Sequence, residues 1–267
     1  MMNPPDHVLE AFDVRGSPVV LLGGQGTVFR VGETVLKPVH NEVEAIWVIE
    51  ILSGIEEEDF QVPCYLSSDT GEVLVDGWMA YKYLPGAMLK GHWKEKRVVL
   101  EAFHSALREF PPPPFFTFRD DPWALADFMA WGERPISCHT RLKPAVEKLV
   151  ACVQPMKVRN QIIQGDPDNI LFAEGVPPAV IDFCPYWRAS EFALAVLVVD
   201  GLVWGGADES ILKVFEDVSE FPQLLVRAEL RRVLELDGHY WQFGTDCLDE
   251  VDVHLPTIEF ICSLVDA

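Results

Sequence analysis

A short segment with the pattern of strands and turns lies inside an otherwise helical stretch of this sequence. It runs from Gln161 to Phe183 and contains three short apolar runs, QII, NILF and PAVIDF, joined by polar turns. A strand-rich insert of this kind is unusual among helices. Most of the residues that suggest chemistry lie within it, so it limits the choice of fold more than any other part of the chain.

The first third of the chain has the pattern of a small β-sheet with one helix. Residues 18–39 predict three strands separated by tight turns. Residues 42–52 then carry apolar side chains at helical spacing. A second β region follows over residues 63–84 and is closed by Pro85 and Gly86.

The rest of the chain has a mainly helical pattern around the strand-rich insert. Residues 93–110 predict one helix, and Asp121 as N-cap, with Pro122 at the first helical position, predicts the start of another. These patterns predict an α+β fold with two parts, residues 1–85 and residues 86–267.

Composition narrows the classes of function. The 267 residues are enough for one large domain or two closely joined lobes without disulfide bonds. The six cysteines lie far apart with no CxxC pair, so neither a zinc ribbon nor a redox motif is indicated. The sequence has no pattern of a secretory signal and no apolar run long enough to span a bilayer. We therefore expect a cytoplasmic protein.

The chain is strongly acidic, with 42 acidic and 21 basic residues and a formal net charge of -21. This charge opposes binding to nucleic acids and to anionic membranes. It favours either a cationic small-molecule substrate or simply a soluble acidic surface, and both interpretations stay open. An acidic protein that binds a nucleotide must also concentrate positive charge, or a metal ion, at the phosphates.

The strand-rich insert contains carboxylate and amide side chains suited to magnesium and a phosphoryl group. Asp166 lies in a turn, Asn169 begins the next strand, and Asp182 ends the strand after it. Asp166 would orient a substrate hydroxyl or accept its proton, while Asn169 and Asp182 would supply oxygen ligands to magnesium. Asp168 is a candidate to replace or assist Asn169. The alternative is a pair of Asp and Asn turns that cap short strands.

A glycine-rich turn near the N-terminus suggests a phosphate-binding site. Missing side chains let backbone N–H groups approach a phosphate, although a plain hairpin turn has the same composition. The residues of this turn are Gly23, Gly24, Gln25, Gly26 and Thr27.

A lysine on the third predicted strand strengthens this interpretation. Lys37 lies on an otherwise apolar strand, where an inward ammonium needs an anionic partner and an outward one would simply reach solvent. Glu44, in preference to Glu42, would supply that partner from the next helix. Carboxylates at helix starts also arise from the helix dipole alone.

The order of these motifs resembles that of a known family. The phrases GGQGTVFR, VLKP, EAIWV, FHSAL, QGDPDNILF and PAVIDFCPYWR resemble the aminoglycoside and choline phosphotransferase superfamily over about residues 15–205. They are most similar to a bacterial branch with the same GGQGT and PAVIDFxPYWR phrases. The resemblance implies a two-lobed protein-kinase-like fold, with a small antiparallel sheet and one helix in the first lobe and a mainly helical second lobe.

The resemblance also implies roles and cofactors. ATP or GTP would bind with Mg2+ in a cleft, with Lys37 and Glu44 on the phosphates and Tyr83 in the segment that contacts adenine. Asp166 would be the catalytic base, and the two oxygen ligands of magnesium would be those given above.

The chain departs from the family at two points. Gln164 stands where the family usually has a histidine that braces the catalytic loop, and a glutamine amide can donate a similar hydrogen bond. The family asparagine generally comes five residues after the catalytic aspartate, whereas Asn169 comes three after Asp166. Three extended residues still span roughly 10 Å, so both side chains can face one metal site.

These observations lead us to expect a small-molecule kinase that phosphorylates a hydroxyl group. The shortened loop motivates an alternative, a catalytically impaired kinase-like protein that binds a nucleotide or a partner, and adenylyl transfer is a third candidate. The acceptor and the oligomeric state do not follow from the sequence.

Two further residues have two interpretations each. Arg188 follows the metal aspartate, where it would meet an anionic substrate group or be a surface arginine at the end of a buried, packed tripeptide. Asp200 lies within an apolar helix, where it would brace the Asp166 loop through backbone N–H groups or mark a helix end.

Overall fold

The computed structural model describes residues 3–21, 26–243 and 247–265. These residues form the predicted α+β fold, in which an antiparallel sheet and a mainly helical part group into two compact units. Met1–Leu89 and Asn169–Phe183 form the first unit, and Lys90–Asp168 and Cys184–Ala267 form the second. No helix in the described part of the chain is long and apolar enough to cross a membrane.

The strands in the described residues are β1 Val19–Val20, β2 Phe29–Val31, β3 Thr34–Pro38, β4 Leu74–Val75, β5 Trp78–Lys82, β6 Gln161–Gln164, β7 Ile170–Leu171, β8 Ala179–Val180 and β9 Pro185–Arg188. The first unit contains a five-stranded antiparallel sheet of these, in the order β1-β2-β3-β5-β4. Residues 63–68 begin the second predicted β region but do not form a strand. They contain one isolated β-bridge, which joins Tyr65 to Tyr81. Pro63 contributes to this irregularity, because it has no N–H group to donate.

The sheet of the first unit packs one face against the N-terminal helix α1, Asp6–Ala11. Apolar side chains of α1, of the turn after it and of the sheet form a buried cluster; its members are Val8, Phe12, Val14, Phe29, Val31, Leu36, Trp78 and Ala80. Because successive strand residues face opposite sides of a sheet, Lys37 lies on the face opposite Leu36. The predicted helix after β3 is α2, Glu42–Gly54.

The second part of the strand-rich insert forms a hairpin that belongs to the first unit. Strands β7 and β8 pair with Ile170 opposite Val180 and Leu171 opposite Ala179. Single bridges join this hairpin to Gln61 and to Ala87 in the same unit.

The second unit is built around a long central helix, α7. Its helices are α3 Trp93–Leu107, α4 Pro122–Ala130, α5 Lys143–Cys152, α6 Ser190–Val203, α7 Phe221–Phe243 and α8 Val251–Val265. Helix α7 packs against α4, α5, α6 and α8, and β6 pairs with β9. The predicted N-cap is confirmed, since Asp121 accepts a 3.0 Å bond from the N–H of Ala124. Helix α3 ends before the predicted Phe110, which precedes a proline and is therefore disfavoured in a helix.

Candidate active site

Lys37 and Asp182 form an ion pair within the first unit. The Lys37 side chain projects from β3 on the face opposite the apolar cluster. Its ammonium contacts Oδ1 of Asp182, which lies just after β8. The Lys37 side chain is 28% exposed and that of Asp182 57% exposed. Asp182 has a positive φ of 48°, a conformation that is uncommon outside glycine and tends to occur at functional sites.

Two phenols lie close to the Asp182 carboxylate. Burial raises the pKa of Tyr65 and of Tyr81, and the negative charge of Asp182 adds to the increase at both. The rings meet edge to face with centroids 5.7 Å apart. Within the first unit, Asp182 is therefore paired with the ammonium of Lys37, and the two phenols that its charge affects stay neutral at pH 7.

Asn169 and Asp182 lie at the same end of the β7–β8 hairpin. The N–H of Ile181 donates a 3.0 Å bond to the carbonyl of Asn169 and so holds the two strand ends together. In the described ranges, no three His, Cys, Asp or Glu side chains converge on a possible metal position. One carboxylate and one amide nevertheless fit magnesium, which proteins usually hold through one or two carboxylates plus substrate phosphates and water.

The other nucleotide-binding candidates of the first unit are only partly described. Gly23, Gly24 and Gln25 lie outside the described residues, whereas Gly26, with a φ of 66°, and Thr27 lie within them. Glu44 lies in the first turn of α2, where its N–H donates a 3.2 Å bond to Asn41 Oδ1.

Tyr83 lies just beyond β5 in the first unit. Its N–H donates a 2.8 Å bond to the carbonyl of Glu33, and its ring lies under the guanidinium of Arg30, 3.5 Å from the centroid. The position of Tyr83 is thus fixed by Arg30 of β2 and by Glu33 in the turn between β2 and β3, and its role toward adenine stays a prediction.

Gln164 organises the segment before Asp166 in the second unit. Its fully buried amide oxygen accepts bonds from the N–H groups of Asp166, at 3.3 Å, and Cys184, at 3.0 Å. Its own backbone N–H donates a 3.0 Å bond to Nε2 of His104. The side chain therefore ties the turn of Asp166 to the start of β9.

Gly165 is the point of closest packing in this segment. Its N–H donates to the carbonyl of Cys184 at 2.8 Å, and its carbonyl accepts from Arg231 at 3.1 Å. A Cβ atom at this position would lie 2.1 Å from Cδ2 of Tyr186. The backbone before Asp166 is thus held on both sides.

Asp168 pairs with a buried lysine of α3. The Lys96 side chain is 1% exposed, its ammonium contacts Oδ1 of Asp168, and it lies 5.1 Å from the centroid of the Trp93 ring. Lys96 was not among the site residues predicted from the sequence. A signal was available, because Lys96 falls on the apolar face of α3, at helical spacing from Val99, Leu100 and Phe103.

Asp200 is held by an arginine of α7. Arg232 donates from Nε to Oδ1 at 2.7 Å and from Nη2 to Oδ2 at 2.5 Å. The same Nη2 lies 3.6 Å from Oδ1 of Asp166. Asp200 therefore connects to Asp166 through a side chain, and Arg232 was not among the predicted site residues.

Arg188 is the buried centre of an ionic cluster with Asp127, which is buried, and Glu133, which is exposed. Its side chain is 1% exposed and donates to Asp127, at 2.6 and 2.9 Å, and to Glu133, at 2.8 and 2.9 Å. The guanidinium also lies against the rings of Phe116 and Trp131. Its donors are used within the second unit, so the tripeptide is packed, but Arg188 is buried and is not the surface arginine of that interpretation.

Comparison with known proteins gives different results for sequence and for structure. No family model matches the chain, and no curated protein matches its sequence. Among solved structures, the aminoglycoside phosphotransferase of Alicyclobacillus acidocaldarius aligns with 100% of this chain and 96% of its own, at a TM-score of 0.60 and 14% identity.

Two other solved structures are similar. A spectinomycin phosphotransferase in complex with ADP and spectinomycin covers 97% of both chains at a TM-score of 0.58 and 14% identity. The choline kinase of Streptococcus pneumoniae covers 92% of this chain and 94% of its own, at a TM-score of 0.54 and 14% identity. The chain therefore has the fold of the aminoglycoside phosphotransferases and choline kinases, which confirms at the level of fold the resemblance found in its motifs.

Proposed function

We propose that this protein transfers a phosphoryl group from ATP or GTP to a hydroxyl group of a small molecule, with Mg2+ bound. The observation that carries the proposal is the ion pair of Lys37 with Asp182, beside Asn169 at one end of a hairpin. It brings a cation for phosphates and oxygen ligands for magnesium into one place. Structures with this fold include phosphotransferases in complex with ADP and with GDP.

Each residue has a defined part in the proposed reaction. Lys37 and the turn from Gly23 to Thr27 bind the phosphates, Glu44 orients Lys37, and Tyr83 lies in the segment that contacts the base. Asn169 and Asp182 would hold magnesium, which when bound would neutralise phosphate charge.

Asp166 acts on the acceptor in this proposal. Its carboxylate takes the proton of the acceptor hydroxyl while that oxygen bonds to the terminal phosphorus and the bond to the nucleoside diphosphate breaks. Gln164 and Gly165 fix the backbone from which this carboxylate projects.

The net charge and the cysteine thiols suggest the class of acceptor and the cellular compartment. A formal charge of -21 favours an amine-bearing acceptor over an anionic one. No cysteine in the described residues forms a disulfide bond, which is usual for proteins of the cytoplasm. We therefore propose a cationic small-molecule acceptor and a cytoplasmic location.

Nucleotide binding tests the proposal first. MgATP or MgGTP should raise the melting temperature of the wild-type protein, because a ligand of the native state stabilises it. Asp166→Asn should keep this shift and lower turnover by about 10²- to 10⁴-fold, the usual contribution of a general base. Asp249→Asn, at an exposed position of the second unit, is the matched control and should change neither property. If neither nucleotide changes the melting temperature, the proposal is rejected.

The spacing of Asp166 and Asn169 supports a second candidate, a kinase-like protein that binds nucleotide without transferring phosphate. MgATP hydrolysis that is lost in Asp182→Ala would argue against this candidate. Binding of nucleotide without any product would support it. Mass spectrometry of products would separate added phosphate from added AMP and so test adenylyl transfer.

A further inference from the structure

Two consecutive arginines of α7 contact the segment that carries Asp166. Arg231 donates a 3.1 Å bond to the carbonyl of Gly165, and Nη2 of Arg232 lies 3.6 Å from Oδ1 of Asp166. One arginine thus holds the backbone, and the next faces the carboxylate. Both contacts lie within the second unit.

Two carboxylates, the buried Glu235 and the largely buried Asp200, fix these two arginines. Glu235 accepts from Arg231 at 2.8 Å through Oε1 and from Arg232 at 2.8 Å through Oε2. Asp200 accepts two further bonds from Arg232, at 2.7 and 2.5 Å. We call Arg231, Arg232, Asp200 and Glu235 the arginine clamp.

The guanidinium of Arg232 is rigid and permanently charged. Its side chain is 10% exposed, while those of Asp200 and Glu235 are 16% and 7% exposed. Burial acts to lower the pKa of Arg232, but the charges of Asp200 and Glu235 outweigh this effect, and the pKa rises. Because three of its N–H groups are directed at carboxylates, the orientation of Nη2 toward Asp166 is set by the clamp.

The Asp166 carboxylate is half exposed and lies beside the guanidinium of Arg232. Its side chain is 51% exposed, although the turn beneath it is fixed by Gln164 and Gly165. A carboxylate on a turn can populate several rotamers, and a fixed cation beside it favours those that face the cation.

We propose that Arg232 is a positioning residue for Asp166, held in place by Asp200 and Glu235. The inference rests on the proposed role of Asp166 as the base that acts on the acceptor. The clamp orients the carboxylate and does not itself touch the acceptor or the nucleotide. A shift of about 1 Å in a reacting group can cost about 10²-fold in rate, so the effect of losing the clamp should be visible in kcat.

Kinetics on Arg232 variants test the catalytic consequence. With MgATP as nucleotide and water as acceptor, Arg232→Met should lower kcat about 10- to 100-fold and leave KM for MgATP within about twofold. Arg232→Lys keeps the charge but loses the planar fork, so its kcat should fall between those of wild type and Arg232→Met. Adding Arg232→Met to Asp166→Asn should cause no further loss, because the clamp acts through Asp166.

Arg97→Met is the matched control for these experiments. Arg97 is a carboxylate-paired arginine on α3, bonded to Asp217 at two 2.7 Å distances, with no part in the proposed site. The kcat of the Arg97→Met variant should stay within about twofold of wild type. An equal loss in Arg97→Met and Arg232→Met, or an additive loss in the Asp166→Asn background, would show a purely structural role and overturn the proposal.

Crystal structures of the variants test the positioning itself, with or without turnover. Asp166 should hold one orientation in the wild type and take a different or a divided orientation in Arg232→Met. If Arg232→Met does not fold, Arg232→Lys and Asp200→Asn take its place, with the same expected displacement. An unchanged Asp166 orientation in a folded variant rejects the proposal. Absence of both nucleotide binding and hydrolysis in the wild type counts against the proposed function instead.

Discussion

Nε2 of His104 accepts a 3.0 Å hydrogen bond from the backbone N–H of Gln164. Burial of the imidazole lowers the pKa of His104 to about 3. The ring is therefore neutral at pH 7 and carries its proton on Nδ1, which leaves Nε2 as the acceptor. A buried neutral histidine thus supports the segment that leads to Asp166.

His104 should make the stability of the protein sensitive to acid. The pKa of His104 is about 3 in the folded protein and about 6.5 in an unfolded chain, so the unfolded state binds more protons between these values. The free energy of unfolding should therefore fall as the pH drops below about 6.5, by at most about 1.4 kcal/mol per pH unit from this group. Urea unfolding at pH 7, 6 and 5 measures the slope.

A variant without the imidazole provides the comparison. His104→Leu leaves the Gln164 N–H without this acceptor and should cost about 1–3 kcal/mol at pH 7. Its stability should decline less steeply than that of wild type between pH 6.5 and 5. His40→Gln, at an exposed position, should keep the wild-type slope. Equal slopes in wild type and His104→Leu would contradict the prediction.

The sequence predicts best those features that depend on neighbouring residues. The N-cap at Asp121 and helix α2 follow from local patterns, and both are present. The partner of Lys37 is a different case. Glu44 as a partner of Lys37 stays a prediction from sequence proximity, whereas the contact of Lys37 with Asp182, 145 residues away, was not predicted. Such a pairing depends on how distant segments meet, and short-range periodicity carries no information about that.

Arg232 of α7 illustrates a second limit of prediction from sequence. Arg232 looks like an ordinary helix-surface residue, with Glu235 at the i+3 position. Its contact with Asp200 depends on the packing of α6 against α7, which the apolar pattern of α6 does not specify because almost all of that helix is buried. The sequence therefore suggested that Asp200 needs a partner but did not identify it.

Gly165 should not tolerate a side chain. In Gly165→Ala the new Cβ would lie 2.1 Å from the Tyr186 ring, so the ring or the turn must move. We expect a loss of about 1–3 kcal/mol in the free energy of unfolding, the usual cost of overpacking a core. Gly54→Ala is the control. A Cβ atom there meets nothing within 4 Å, and alanine lowers the conformational entropy of the unfolded chain, so this variant should be at least as stable as wild type. A Gly165→Ala protein as stable as Gly54→Ala would contradict the structure.

Lys96 and Asp168 should respond unequally to truncation. Asp168→Ala leaves the ammonium of Lys96 buried without this partner, which should cost about 3 kcal/mol or more. Lys96→Met removes the buried charge and leaves a carboxylate that is 49% exposed and can be hydrated, so we expect a smaller loss. Adding Lys96→Met to Asp168→Ala should restore part of the stability. Denaturant unfolding of the three variants measures this, and equal losses in both single variants would contradict it.

Arg188 should act on stability and not on turnover. Arg188→Lys keeps the charge in the ionic cluster but cannot donate paired bonds to both Asp127 and Glu133, so we expect a loss of about 1–3 kcal/mol in the free energy of unfolding. MgATP hydrolysis should keep kcat and KM within about twofold of wild type, because the donors of this guanidinium are used inside the protein. Arg141→Lys is the control, since Arg141 pairs with Asp252 at the surface and its replacement should change stability by about 0.5 kcal/mol or less. Unchanged stability in Arg188→Lys, together with a large loss of turnover, would instead assign Arg188 to substrate binding.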